Sequence, residues 1–205
     1  MKKRALVILA ICLIVPFSLS ARSFYDVSLG FGGAYSPSDD SGYFSQMSNG
    51  ENWKFGGELL VRMSFLQAQV FVFPSQCSDE GQGALLIGMA GINTPLVGDL
   101  LHLELGFGAS IMYVLSGEDN RTSYYELADK SPASTSSTGV FEATMQSPVY
   151  LMAGVATELG SVGFHVRYLM ESAATLETVA DSQSWWKMFQ LKDSTLSLAL
   201  SLKMF

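Results

Sequence analysis

The stretch Asp193-Ser-Thr-Leu-Ser-Leu-Ala-Leu-Ser-Leu-Lys-Met-Phe205 is an unbroken alternation. In an extended chain Leu196, Leu198, Leu200, Leu202 and Met204 share one face, and Thr195, Ser197, Ala199, Ser201 and Lys203 share the other. A carboxyl-terminal segment usually frays and is polar unless something ties it down. An apolar strand running to a bare phenylalanine is therefore expected to be paired, with its leucine face covered by an apolar medium.

Seven segments upstream are read as further strands. Val162 to Met170 and Val149 to Leu159 alternate and are separated by Gly160-Ser161 alone. Leu101 to Tyr113, Leu66 to Val72, Trp53 to Met63 and Tyr25 to Tyr35 alternate as well. Ala84 to Ile92 is apolar at every position, so it reads as a strand whose two faces cannot be told apart. The connections alternate in length. Ser36 to Asn52, Pro74 to Gly83, Ser116 to Pro148 and Glu171 to Ser184 are the longer set; Ser64-Phe65, Asn93 to Leu100 and Gly160-Ser161 are the shorter. Within the longest connection, Lys130 to Gly139 is Ser- and Thr-rich and is expected to be mobile.

The amino terminus carries Lys2, Lys3 and Arg4, then an apolar run from Ala5 to Phe17, then small residues around Ser20 and Ala21. That is the layout of a secretory signal peptide, expected to span residues 1–21 and to leave 22–205 as one domain. The run is too short to cross a bilayer as a helix. Cys12 lies inside it, so Cys77 is the one cysteine of the mature chain, and no internal disulfide can form. Of the twelve Lys and Arg, three lie in the leader. Nineteen Asp and Glu then face nine cations, a net charge of −10, which excludes a basic nucleic-acid surface. Only 15% of residues are charged and 48% are hydrophobic, yet no later run approaches 18 apolar residues. The apolar content has to be spread over strands.

These features predict an all-β fold, an eight-stranded antiparallel up-and-down transmembrane β-barrel with long extracellular loops and short periplasmic turns. A closed barrel is the one β-structure that satisfies every backbone group in lipid. The competing expectation is a soluble, lipocalin-type barrel with its apolar face inside. The polar faces here are mostly Gly, Ala and Ser, which suit a crowded lumen better than a solvated exterior. Aromatic residues collect toward two rims: Tyr25, Phe164 and Phe205 at one, and Tyr35, Trp53, Tyr113, Trp185 and Trp186 at the other. In strand number, loop layout and ending, the mature chain resembles the small outer-membrane proteins of the OmpA, OmpX and OmpW type. That resemblance implies residence in the bacterial outer membrane, contact with its lipids, and recognition of the terminal strand by the barrel-assembly machinery, with Phe205 as the signal. The leucines fall at even positions from the end, opposite to the family's phase, so Phe205 either follows a bulge or points inward.

Placed in such a barrel, the inward residues divide along the axis. Asp26, Arg62, His102, Glu104, Glu158, His165, Arg167 and Lys203 fall in the periplasmic half, with Glu58 nearer the middle, and together predict a charged plug. Leu60, Phe71, Leu86, Met112, Tyr150, Met152 and Leu169 fall in the outer half, as an apolar pocket or simple filling. The outer loops carry an acidic excess, including Asp39, Asp40, Glu51, Asp79, Glu80, Glu118, Asp119, Glu126, Asp129 and Glu142. No catalytic, metal or cofactor motif is read. His102, Glu104 and His165 could belong to a metal site or hydrolytic triad, as in lipid A-modifying barrels, but they fall at the periplasmic end. The expected role is structural or surface interaction, with host or surface molecules meeting the acidic loops, and not general porin activity. The alternative is a barrel that binds or transports a small apolar solute.

Overall fold

The structure is a computed structural model that describes residues 25–36, 45–76, 82–98, 100–116, 122–129, 131–181 and 184–204. Residues 1–24 (which include the expected signal peptide), Cys77, Phe205 and many of the loop acids lie outside the described residues. Ten strands run in chain order: β1 (Tyr25–Tyr35), β2 (Trp53–Met63), β3 (Leu66–Gln76), β4 (Gln82–Val97), β5 (Leu101–Ser116), β6 (Thr122–Glu126), β7 (Pro132–Ser134), β8 (Pro148–Leu159), β9 (Val162–Thr175) and β10 (Leu191–Lys203). Two short helices, α1 (Val140–Met145) and α2 (Leu176–Ala180), and the 3₁₀ helices Gly50–Asn52 and Trp185–Phe189 lie in the long connections.

Eight strands form the wall, in the order β4-β3-β2-β1-β10-β9-β8-β5, and a β4–β5 pairing closes the ring. Every wall pairing is antiparallel. The carboxyl-terminal strand is tied down as its pattern requires. Its pairing with β1 runs from Ser28 opposite Lys203 to Tyr35 opposite Leu196, and the Met204 N–H donates to the Val27 carbonyl at 2.7 Å.

Side-chain burial is inverted relative to a soluble barrel. Phe31, Leu29, Phe55, Leu200 and Leu202 are each more than half exposed on the exterior, whereas Arg167, Glu104 and His165 are fully buried in the lumen. An exterior of exposed leucine and phenylalanine around a charged interior is a lipid-facing wall, and the lipocalin-type expectation falls. No described helix is long and apolar enough to cross a membrane. The crossing is by strands. At the long-loop rim, Tyr35 packs on Trp53 with centroids 5.3 Å apart, Tyr113 packs on Tyr125, and Trp185 and Trp186 stay half exposed.

The structure departs from the sequence expectation at the outer ends of the strands. β3 continues through Pro74 to Gln76, and β4 starts at Gln82. Pro74 is accommodated because β3 is paired with β2 only up to Val72, so beyond that point it has a partner on one side alone. At the other end β4 runs on to Val97 through an irregularity at Pro95, which shortens the turn before β5. β9 continues past Met170 to Thr175: Glu171 keeps the inward phase of Arg167 and Leu169, and a register shift beyond it brings Ser172 and Ala174 to the buried side. The Ser/Thr-rich segment also carries structure. β7 pairs with β6, and the Thr135 hydroxyl lies 2.8 Å from that of Ser123, a local hydroxyl pairing that holds the hairpin. Asp129, in the connecting turn, accepts from the Ser131 hydroxyl and N–H, and these bonds hold its carboxyl below the usual carboxylate range.

Candidate functional site

The lumen is built in three layers, each set by which inward side chains the register brings to the same height. In the layer nearest the short turns two charged groups meet. Arg62 of β2 donates through Nε to Asp26 of β1 at 3.0 Å and through Nη1 to Glu158 of β8, and Lys203 of β10 reaches the second Asp26 oxygen at 3.4 Å. Beside it Arg167 of β9 donates through Nε to Glu104 of β5 at 2.6 Å, through Nη1 to Glu58 of β2, and through Nη2 to His165 Nδ1 at 2.7 Å. Asn93 adds a bond to Glu104 at 3.2 Å. Seven wall strands are thereby linked across the lumen. His102, a ninth member of the expected charged set, is fully buried at this level.

Three glycines make room for this layer, Gly30 beside Glu58 among them. A Cβ on Gly154 would stand 2.7 Å from the Val166 carbonyl oxygen and 2.8 Å from Arg167 Cγ. One on Gly163 would stand 2.5 Å from Ser201 Oγ and 2.9 Å from His165 Nε2. The small residues of the inward faces are thus the space into which the large charged ones fold.

The layer also contains a Ser-His-Glu arrangement. His165 Nε2 lies 2.8 Å from Ser201 Oγ, and His165 Nδ1 lies 3.3 Å from Glu104. Arg167 decides its chemistry. Its Nη2 can only donate, so the 2.7 Å contact, shorter than that to Glu104, is satisfied when Nδ1 accepts, the tautomer whose ring proton lies on Nε2 toward Ser201. A base must accept at that position. In this tautomer His165 cannot take a proton from Ser201, and both residues are shut from solvent. Among the described residues, no three His, Cys, Asp or Glu side chains gather into a metal-binding group.

Above the charged layer lies an apolar septum of Phe71, Met89, Met152, Leu169 and Tyr150, with Phe71 stacked on Phe73 at 6.1 Å between centroids. Arg167 lies 5.4 Å from the Phe71 ring centroid, which joins the two layers by a cation–π contact. Gln67 on β3 is buried at the lumen face, and neither polar atom of its amide has a partner among the described residues. Gln67→Leu is therefore expected to stabilise the barrel by about 1 kcal/mol, since a buried unbonded amide costs more than an apolar group of similar size. Urea midpoints in detergent micelles measure this; a lowered midpoint would show that the amide is satisfied.

The outermost layer is a cavity of about 540 Å³ on the long-loop side. Met112, Tyr150 and Leu169, expected in a pocket, line it. Leu60, Phe71 and Met152 are instead buried beneath it. Leu86 is corrected: it faces outward on β4, where it shares an exterior groove with Val70 and Ile111, and the inward residues of that strand are Leu85, Ile87 and Met89. The rim is polar, with Lys54, Glu126, Glu171 and Asp193, so the cavity is apolar only at its base. Glu126, expected on the outer loop surface, belongs to this rim. Glu171 and Asp193 continue the inward phase of Leu169 and Thr195, but the expected strand stops at Met170 and the expected inward set at Thr195, so neither is expected in the lumen.

Fold and lumen define a small closed transmembrane β-barrel of the outer-membrane type. Comparison with solved structures bears on the same class. The chain is similar to the N-terminal β-barrel domain of Pseudomonas aeruginosa OprF, with 9% sequence identity and a TM-score of 0.50 over 89% of this chain and 98% of that one. Weaker similarities include the outer membrane protein Ail of Yersinia pestis (13% identity, TM-score 0.47, 87% and 99% covered) and Neisserial surface protein A (12%, 0.44, 90% and 100%). No family model and no curated protein sequence matches the chain. At these identities the likeness is one of fold.

Proposed function

We propose that this chain is a non-conducting structural protein of the bacterial outer membrane that presents its long loops to the outside, and not a general porin. The observation that carries this reading is the pair of Arg-centred networks, which tie β1, β2, β5, β8, β9 and β10 together across the lumen beneath an apolar septum. An eight-stranded wall leaves an interior just wide enough for side chains, and here charged side chains in ion pairs occupy it. On this reading lipids cover the exterior, the acidic loops meet host or surface molecules, and the assembly machinery takes up the terminal strand with Phe205. The cavity supports a second reading, a barrel that binds a small solute at its outer mouth.

Topology is tested with Ser136→Cys in a Cys77→Ser background, because Ser136 is exposed in the hairpin region between β7 and α1. A membrane-impermeant maleimide is expected to label it on intact cells. Labelling only after lysis would invert the orientation and remove the surface role.

A further inference from the structure

We propose that the outer cavity is a binding site for a small organic cation with an apolar body. This goes beyond the structural role above, and it depends on the outer layer of the lumen alone. The cavity's 540 Å³ lies within the span of small-molecule sites, roughly 300–1,000 Å³. Phe73, Leu85, Ile87, Met112 and Leu169 form its base, a surface suited to a hydrocarbon or aromatic group.

Two observations choose the polar end of the ligand. Glu171 and Asp193 are direct cross-strand partners on β9 and β10, and both line the cavity. Like charges set opposite one another weaken a sheet unless something lies between them. Neither forms an ion pair with a described residue, and Glu171 accepts one hydrogen bond, from the Tyr150 hydroxyl at 2.7 Å. Independently, Ser75 and Ser110 line the same cavity while more than nine-tenths buried, and their hydroxyls have no hydrogen-bond partner among the described residues. A built pocket with an apolar base, the facing Glu171 and Asp193 carboxylates at its rim and two unbonded hydroxyls matches a ligand that carries an ammonium or guanidinium on an apolar body. Anions and fully apolar solutes would leave the carboxylate pair as it is.

The test uses the whole mature barrel in lipid nanodiscs, with empty nanodiscs of the same lipid as the reference. Phenethylamine, as its cation, is compared with the neutral 2-phenylethanol and the anionic 3-phenylpropionate by titration calorimetry. The methyl carbon resonance of Met112 reports whether the cavity itself is entered. Saturable binding of phenethylamine is expected, about tenfold tighter than 2-phenylethanol, with a saturating shift at Met112. The double variant Glu171→Gln with Asp193→Asn should bind the amine and the alcohol alike. That variant relieves a repulsion, and the heat-dependent gel mobility of a closed barrel confirms that it has folded. Met112→Arg, which carries a guanidinium into the cavity, should abolish amine binding. Equal affinity for amine and alcohol in the unaltered protein, preference for the acid, binding indistinguishable from empty nanodiscs, or an unmoved Met112 resonance would each overturn the proposal. None of these outcomes touches the sealed-lumen reading, which is decided by conductance.

Discussion

Arg167→Ala is expected to destabilise the barrel by about 3–5 kcal/mol, the cost of leaving buried charge without its partner. The side chain is fully buried, and its removal strands Glu58 and Glu104 in the lumen while breaking the donor bond to His165. Urea unfolding followed by tryptophan fluorescence measures the loss. Arg167→Lys should recover only part of it, because one ammonium cannot replace a planar fork bonded to two carboxylates and an imidazole at once. Replacing Arg167 by Met together with Glu58→Gln and Glu104→Gln should cost less than the single alanine change, since no charge is then left unpaired. If the alanine variant loses under 1 kcal/mol, the network does not hold the wall. Combined with Arg62→Ala, which takes the guanidinium away from Asp26 and Glu158, the change is expected to raise single-channel conductance in planar bilayers above that of the unaltered barrel. Unchanged conductance would move the seal to the Phe71 septum.

The second large effect concerns the exterior. Leu29, near the middle of β1, is half exposed on the outer face. Leu29→Arg should cost about 2–4 kcal/mol in a lipid bilayer, where arginine at the midplane of a barrel wall is penalised by that much. The same change on a soluble surface would fall within about 0.5 kcal/mol of zero. Ser36→Arg, just beyond the outer end of β1, serves as the matched control and should have little effect. Equal stability of the two variants in vesicles would contradict the lipid-facing assignment.

How far the fold was legible follows from what each residue had to tell. Strands that alternate cleanly, such as Val149 to Leu159 and the terminal leucine series, declared both their existence and their facing. β4 declared only its existence. Apolar residues at Ala84, Leu85, Leu86 and Ile87 fit either phase, and only pairing with Phe71, Val72 and Phe73 decides that Leu85 and Ile87 turn inward and Leu86 outward. The two Arg-centred groups were legible as a list of inward charges, because alternation plus strand direction sets each one's height. Their division into partners was not, since it depends on where the wall curves back on itself. The cavity rim was misread for a local reason: Glu171 still holds the inward phase of Leu169, but the apolar pattern of β9 ends at Met170, and nothing in it shows that the extended chain continues beyond that point. The β6–β7 hairpin was hidden by composition. Ser and Thr stabilise it through local hydroxyl bonds rather than through an apolar face that a periodicity could reveal.

The pairing of β1 with β10 has a bearing on how such a wall comes into being. Ser28 and Lys203 sit opposite one another although nearly the whole chain separates them. Contacts between such distant segments are the slowest to form, because a large loop must be ordered before they repay it. Until they meet, the sheet has two raw edges, each a row of unanswered amides and carbonyls able to capture another chain. The seam is thus both the last step of closure and the point of greatest danger, and a half-made wall would need an escort to cover those edges. Hydrogen exchange at the Leu198 and Leu200 amides, followed during refolding into vesicles, should show protection there later than within the β8–β9 hairpin.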